Sequence, residues 1–171
     1  MSEPAGSART HPAGRRRSAA RLAAVQALYQ IELAGATPDS VIAEFAQDGL
    51  RREIEGERQE VDEGFFADLV RGAASRQGEL DDLICSVLTP EWPLARLETV
   101  LRAILRAGTY ELLALGDVPV PVAINEYLDI AHAFYSGKEP GLINGVLDRL
   151  ARTLRPHEPA GGERDGDASA R

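Results

Sequence analysis

A chain of 171 residues with 44% hydrophobic content carries enough apolar surface for one independently folded domain with tails. Its formal charge of -8 speaks against indiscriminate coating of nucleic acid, and its single cysteine, Cys85, excludes an intrachain disulfide and a cysteine-based zinc site. No apolar run reaches the roughly 18 residues that a membrane-spanning helix needs. The N-terminus lacks a secretory apolar core, so the expected location is the cytoplasm.

Aromatics are few, and leucine and alanine carry the apolar pattern, which suits helix packing better than strands. The fold class read from this is all-α. Residues 1–14, rich in Ser, Pro, Gly and Ala without periodicity, are expected to be a disordered tail. The structured domain is expected over residues 15–156. It opens with RRRSAARLAAVQALYQIELAG, with Ser18 as candidate N-cap and Gly35 as the stop. Leu22, Val25, Tyr29 and Leu33 form one stripe with Ala20, Ala24, Ala27 and Ile31 beside it, an arc wide enough for more than one neighbour.

Before residue 31, Arg9, Arg15, Arg16, Arg17 and Arg21 are opposed only by Glu3, so a basic arm precedes an acidic body. Arginines at a helix N-terminus oppose the macrodipole at roughly 0.3–1 kcal/mol each. A phosphate backbone reverses that penalty, because helix N-terminal amides and arginines attract the same anion. A basic cluster without a partner is the competing reading.

Thr37-Pro38-Asp39 caps a short helix through Val41, Ile42 and Phe45, and residues 49–60 read as a charged surface loop. Phe65, Phe66, Leu69, Val70 and Ala73 share the next helical face. Gly78 is the expected interruption before Leu80, Leu83, Ile84, Val87 and Leu88. Cys85 lies among these residues and is expected to be a small buried hydrophobe. Pro90 and Pro93 bracket Trp92 in a turn that closes one end of the core.

The stretch Leu97 to Leu115 is the expected central helix. Leu97, Val100, Leu101, Ile104, Leu105, Gly108, Leu112 and Leu115 recur at three- and four-residue steps. Glu98, Arg102 and Arg106 lie off that stripe, as a solvated ion-pair face or as part of a binding surface. Pro121 suits the first turn of the following helix, whose stripe is Ile124, Leu128, Ala131 and Tyr135. GKEPG (137–141) reads as a turn before a last helix with Ile143, Val146, Leu147, Leu150 and Leu154 inward. Asn144-Gly145 inside that helix suggests a close backbone approach, since glycine there costs about 1 kcal/mol against alanine. Residues 157–171 are expected to be a second disordered tail.

No catalytic constellation is legible. His11, His132 and His157 are scattered, without metal-ligand spacing. Asp62-Glu63 and Asp81-Asp82 are helix neighbours pointing about 100° apart, and no glycine-rich phosphate loop is present. The reading is a binding module rather than an enzyme, with no catalytic residue, metal or cofactor.

Three segments resemble the NusB family of bacterial transcription antitermination factors. RRRSAARLAAVQALYQIEL is similar to its arginine-led first helix, AILRAGTYELL to its central helix, and DVPVPVAINEYLDIAHAFY with LINGVLDRLA to its C-terminal pair. The resemblance implies about seven helices in two packed three-helix subdomains. It also implies binding of single-stranded boxA RNA with the small-subunit ribosomal protein NusE, within an elongation complex containing other Nus factors, for read-through on rRNA operons. By position, Arg15, Arg16, Arg17 and Arg21 become phosphate contacts, and Lys138 and Arg106 further RNA contacts. Tyr29 stacks on RNA, meets the protein partner or packs in the core, and Arg102 falls on the partner side. Family members often carry an acidic residue where this chain has Leu101.

Two other readings compete. One is an rRNA-binding module like that joined to certain RNA cytosine methyltransferases, against which stands the lack of a following methyltransferase domain. The other is a scaffold docking a basic ribosomal protein without RNA.

Overall fold

The computed structural model describes residues 12–47, 51–54 and 57–158. Among these are seven α-helices. Helix α1 (Pro12–Ala34) starts earlier than expected, because Pro12 with its fixed φ suits a first turn. Residues 12–14, assigned from composition to the tail, are therefore helical, and Ser18 is no N-cap. Its Oγ instead donates to Gly14 O inside the helix. The rest of the expected tails, 1–11 and 159–171, lies outside the described residues. Gly35 ends α1 at φ 65°, its N–H donating to Ile31 O at 3.0 Å.

Helix α2 (Pro38–Gln47) is capped as expected, with Thr37 Oγ1 accepting from Ser40 N at 3.2 Å. Part of the expected loop then forms an antiparallel hairpin, β1 (Arg51–Ile54) with β2 (Glu57–Glu60), Arg51 opposite Glu60. Its charged, non-alternating sequence hides the strands from a search for hydrophobic periodicity. Asp62, expected as a helix neighbour of Glu63, instead caps α3 (Glu63–Ser75) by accepting from Phe65 N at 3.0 Å. The break before α4 (Gln77–Val87) falls at Arg76 rather than Gly78. A 3-10 turn, Leu94–Arg96, precedes α5 (Thr99–Ala114), and Leu97 is buried ahead of that helix rather than in it. Helix α6 is Val120–Phe134. Helix α7 (Glu139–Leu154) takes Pro140 into its first turn, so GKEPG is only partly a turn.

Helices α1, α2 and α3 pack on one another, α5, α6 and α7 do the same, and α5 joins the two groups by also touching α1, α3 and α4. Buried Ala19, Ala20, Ala23, Ala24 and Ala27 let α1 approach its neighbours closely. Helix α5 is buried on every side from Ala103 to Leu112. Leu101, 2% exposed, belongs to this core and offers nothing to a partner.

The close approaches occur at Gly72 and Gly108, not at Gly145. A Cβ on Gly72 would lie 1.9 Å from the Tyr110 ring, and one on Gly108 3.1 Å from Leu147, whereas one on Gly145 meets nothing within 4 Å. Asn144 is exposed. Cys85 is also exposed, because the buried line of α4 runs through Leu80 and Ile84 and leaves position 85 on the outer side.

Candidate nucleic-acid interface

The first turns of α1 hold no acidic residue, and Arg15 and Arg16 project from them into solvent. Arg17 is half-buried. Its Nη1 donates to Asp117 at 3.2 Å, its Nε lies 3.9 Å from Asp62, and its guanidinium rests 4.8 Å over the Phe65 ring. Arg17 can thus meet a phosphate only by exchanging carboxylates, while Arg15 and Arg16 have no such competition among the described residues. The cap of α3 joins here, Asp62 N donating to Arg16 O at 3.1 Å.

Arg21 departs from the expected role. It is 2% exposed, its Nε and Nη2 donate to Glu111 at 2.8 and 2.9 Å, and Glu126 lies 3.6 Å away. Phe65 covers it at 5.0 Å. Four residues beyond Arg17 and on nearly the same face of α1, it lies where Glu111 of α5 and Phe65 cover the helix and is sealed from phosphate. Burial opposes its charge, but the hydrogen bond and negative charge of Glu111 outweigh this and raise its pKa. Tyr127 donates to the same carboxylate at 2.9 Å, and its own pKa is pushed well above the ordinary value, first by burial and then by Glu111.

Arg106 and Arg102 depart similarly. Arg106, 8% exposed, forms a two-point contact with Asp81 at 2.8 and 3.0 Å and reaches Glu32 at 3.1 Å. Arg102 donates to Glu32, Thr99 and Leu97 O. The expected i,i+4 face of α5 is thereby replaced by ion pairs to α1 and α4. This occurs because α5 is surrounded by other helices and its charges must find partners there. Arg106 is removed as an RNA contact, and Arg102 is committed to the fold. Glu98 instead accepts from Tyr135 OH at 3.1 Å.

Lys138 is exposed at the N-cap of α7. Tyr29 is 38% exposed and Leu33 61%, leaving the C-terminal half of the α1 stripe open. With Gln26, Gln30, Ala34, Glu44 and Phe45 they line a concavity of about 420 Å³. Among the described residues no three His, Cys, Asp or Glu side chains gather as a metal site, and no helix is long and apolar enough to cross a membrane.

Glu111, Glu126 and Tyr127, which hold Arg21, escaped sequence reasoning, and Phe65 was expected on a helical face without its contact to the arginines. The available signal was a lone carboxylate, Glu111, within the apolar run of α5, since a buried charge demands a partner.

A family model described as the NusB family matches residues 18–152. The transcription antitermination protein NusB of Caulobacter vibrioides is 52% identical over 140 residues, 81% of this chain and 94% of that protein. A solved structure of T. maritima NusB superposes with a TM-score of 0.68 at 31% identity, covering 84% of this chain and 93% of that one. The crystal structure of antitermination factors NusB and NusE in complex with dsRNA gives 0.68 at 24% identity, covering 81% and 98%, a likeness that speaks for the fold. A match spanning α1 to α7, with half the residues identical to a relative of nearly the same extent, places this chain in the NusB family.

Proposed function

We propose that the chain is a non-enzymatic, cytoplasmic RNA-binding factor in transcription antitermination. It binds a boxA-type single-stranded RNA together with the ribosomal protein NusE and, with other Nus factors on the elongation complex, sustains full transcription of rRNA operons. Family membership supports this reading, as does the solved complex that holds a structurally similar NusB with NusE and dsRNA. The observation that carries it is local: Arg15 and Arg16 stand exposed at the start of α1 with no carboxylate in its first turn, in a chain whose net charge is -8. An acidic protein keeps such a pair where a polyanion meets it, and the helix N-terminus adds to the attraction. Lys138 is a further candidate contact, and Arg17 joins when phosphate displaces Asp117.

The test is RNA affinity against salt for the wild type and for Arg15→Ala, Arg16→Ala and Arg17→Ala combined, with and without NusE, on a boxA-type strand, a scrambled strand and a duplex. Losing three phosphate contacts should lower the log–log salt slope by about 2. The reading expects binding selective for the boxA-type strand, strengthened by NusE and lost in the variant. NusE binding with no RNA affinity in any arm would favour the scaffold reading instead.

A further inference from the structure

We propose that Asp117 is a built-in competitor of the RNA backbone: a carboxylate that the fold holds against Arg17, where it stands in for phosphate and limits how tightly the arm binds. This rests on the RNA-binding reading and adds to it the control of that same site.

Arg17 and Arg21 lie four residues apart on α1 and both end on carboxylates, but only one of them can exchange its partner. The Arg21–Glu111 pair is buried, so no strand reaches it. The Arg17–Asp117 pair, 3.2 Å apart, has side chains 38% and 64% exposed, open to a strand that the solvent-facing Arg15 and Arg16 attract. Phosphate and carboxylate oxygens accept from the same guanidinium N–H groups, so at Arg17 Nη1 one displaces the other.

Of the two carboxylates beside Arg17, Asp117 is the one that can give way. Asp62 is occupied by the α3 cap through Phe65 N at 3.0 Å and stands farther off, 3.9 Å from Arg17 Nε. Asp117 has no other hydrogen bond among the described residues. Its backbone is nevertheless fixed. It sits in the turn between α5 and α6, where Arg155 holds Leu115 O at 2.8 Å on one side and Val118 O on the other. Val118 is itself buried, and its N–H donates to Leu115 O at 3.3 Å. The turn that presents the carboxylate to the arm is therefore set before any strand arrives.

The test measures RNA affinity of the full chain with NusE, on the boxA-type and scrambled strands. The variants are Asp117→Asn, Asp117→Glu, Arg17→Ala, and Arg17→Ala combined with Asp117→Asn. Asp82→Asn is the charge control, an exposed carboxylate on α4 next to Asp81, whose partner Arg106 reaches Glu32 near the far end of α1. Exposed ion pairs are weak, so Asp117→Asn should tighten binding by only about three-fold. The gain should be equal on both strands, because backbone contacts carry no sequence information. Asp117→Glu keeps the carboxylate and should stay near wild type. In the Arg17→Ala background, Asp117→Asn should gain no more than Asp82→Asn does.

A gain that persists without Arg17, or that Asp82→Asn matches, reduces Asp117 to general charge and overturns the proposal. Wild-type affinity in Asp117→Asn overturns it as well, and a lowered melting temperature there makes the pair a mere tether for α1. In either case, loss of binding in Arg15→Ala with Arg16→Ala leaves the RNA reading standing. Wild-type binding to neither strand overturns that reading and this inference with it.

Discussion

Arg21 and Glu111, ninety residues apart in the chain, meet in a two-point contact of 2.8 and 2.9 Å that solvent does not reach. It fastens the arginine-bearing helix α1 to the central helix α5 about one and a half turns beyond the exposed Arg15 and Arg16. Removing one partner of a buried pair leaves an uncompensated charge, so Arg21→Met should lose about 3–5 kcal/mol in urea unfolding. The exposed Arg16→Ala should stay within about 0.5 kcal/mol. Equal stability of the two variants would show that the buried contact does not hold the helices together.

The glycines of α3 and α7 give opposite expectations for the same substitution. Gly72→Ala drives a methyl group into the Tyr110 ring, where the gap is 1.9 Å. It should destabilise by about 1–3 kcal/mol or more. Gly145→Ala enters open space in a helix and should stabilise by up to about 1 kcal/mol. Thermal melts of the two variants side by side decide this, and a stabilised Gly72→Ala would contradict the packing.

Arg155 closes the C-terminal end of α5. Its guanidinium donates to Glu111 O at 2.9 Å, Leu112 O at 2.7 Å and Leu115 O at 2.8 Å at the end of α5, and to Val118 O in the link that follows, so one side chain serves four carbonyls there. Glu158, placed by composition in the tail, accepts from Val120 N at the start of α6 at 3.0 Å. Arg155→Ala should lose at least about 3 kcal/mol. Hydrogen exchange should show the end of α5 opening first, whereas unchanged protection there would remove this role.

Alkaline pH should weaken the fold through its tyrosines. Burial first, and then the hydrogen bond to Asp68, pushes Tyr110 up to about 12; burial and Glu98 push Tyr135 up to about 12 as well. Both groups hold their protons more tightly when folded than at the ordinary value near 10. Their contribution is fully present below about pH 10 and is lost as pH rises toward about 12. The melting temperature should fall across that window, and Tyr110→Phe should flatten the fall. A decline of the same steepness in Tyr110→Phe would assign the loss to other groups.

The sequence by itself determined what depends on local rules. Apolar spacing located the helices, Thr37 and Gly35 marked two ends, and the burial of the Leu101, Ile104, Leu105 and Leu112 stripe made α5 central. The start of α1 at Pro12, the break at Arg76 and the paired strands 51–54 and 57–60 lay beyond those rules, because their signals are single residues or charged strands without periodicity. Tertiary structure alone decided the fate of the charges. Four arginines of the expected interface have the same chemistry in the sequence, yet Arg15 and Arg16 face solvent while Arg21 and Arg106 are enclosed. A helix turns about 100° per residue, and which sides are covered depends on the neighbours that pack against it. The carboxylates that capture Arg21 and Arg106 come from distant parts of the chain, so only the assembled fold separates arginines left for a polyanion from arginines that hold the helices together.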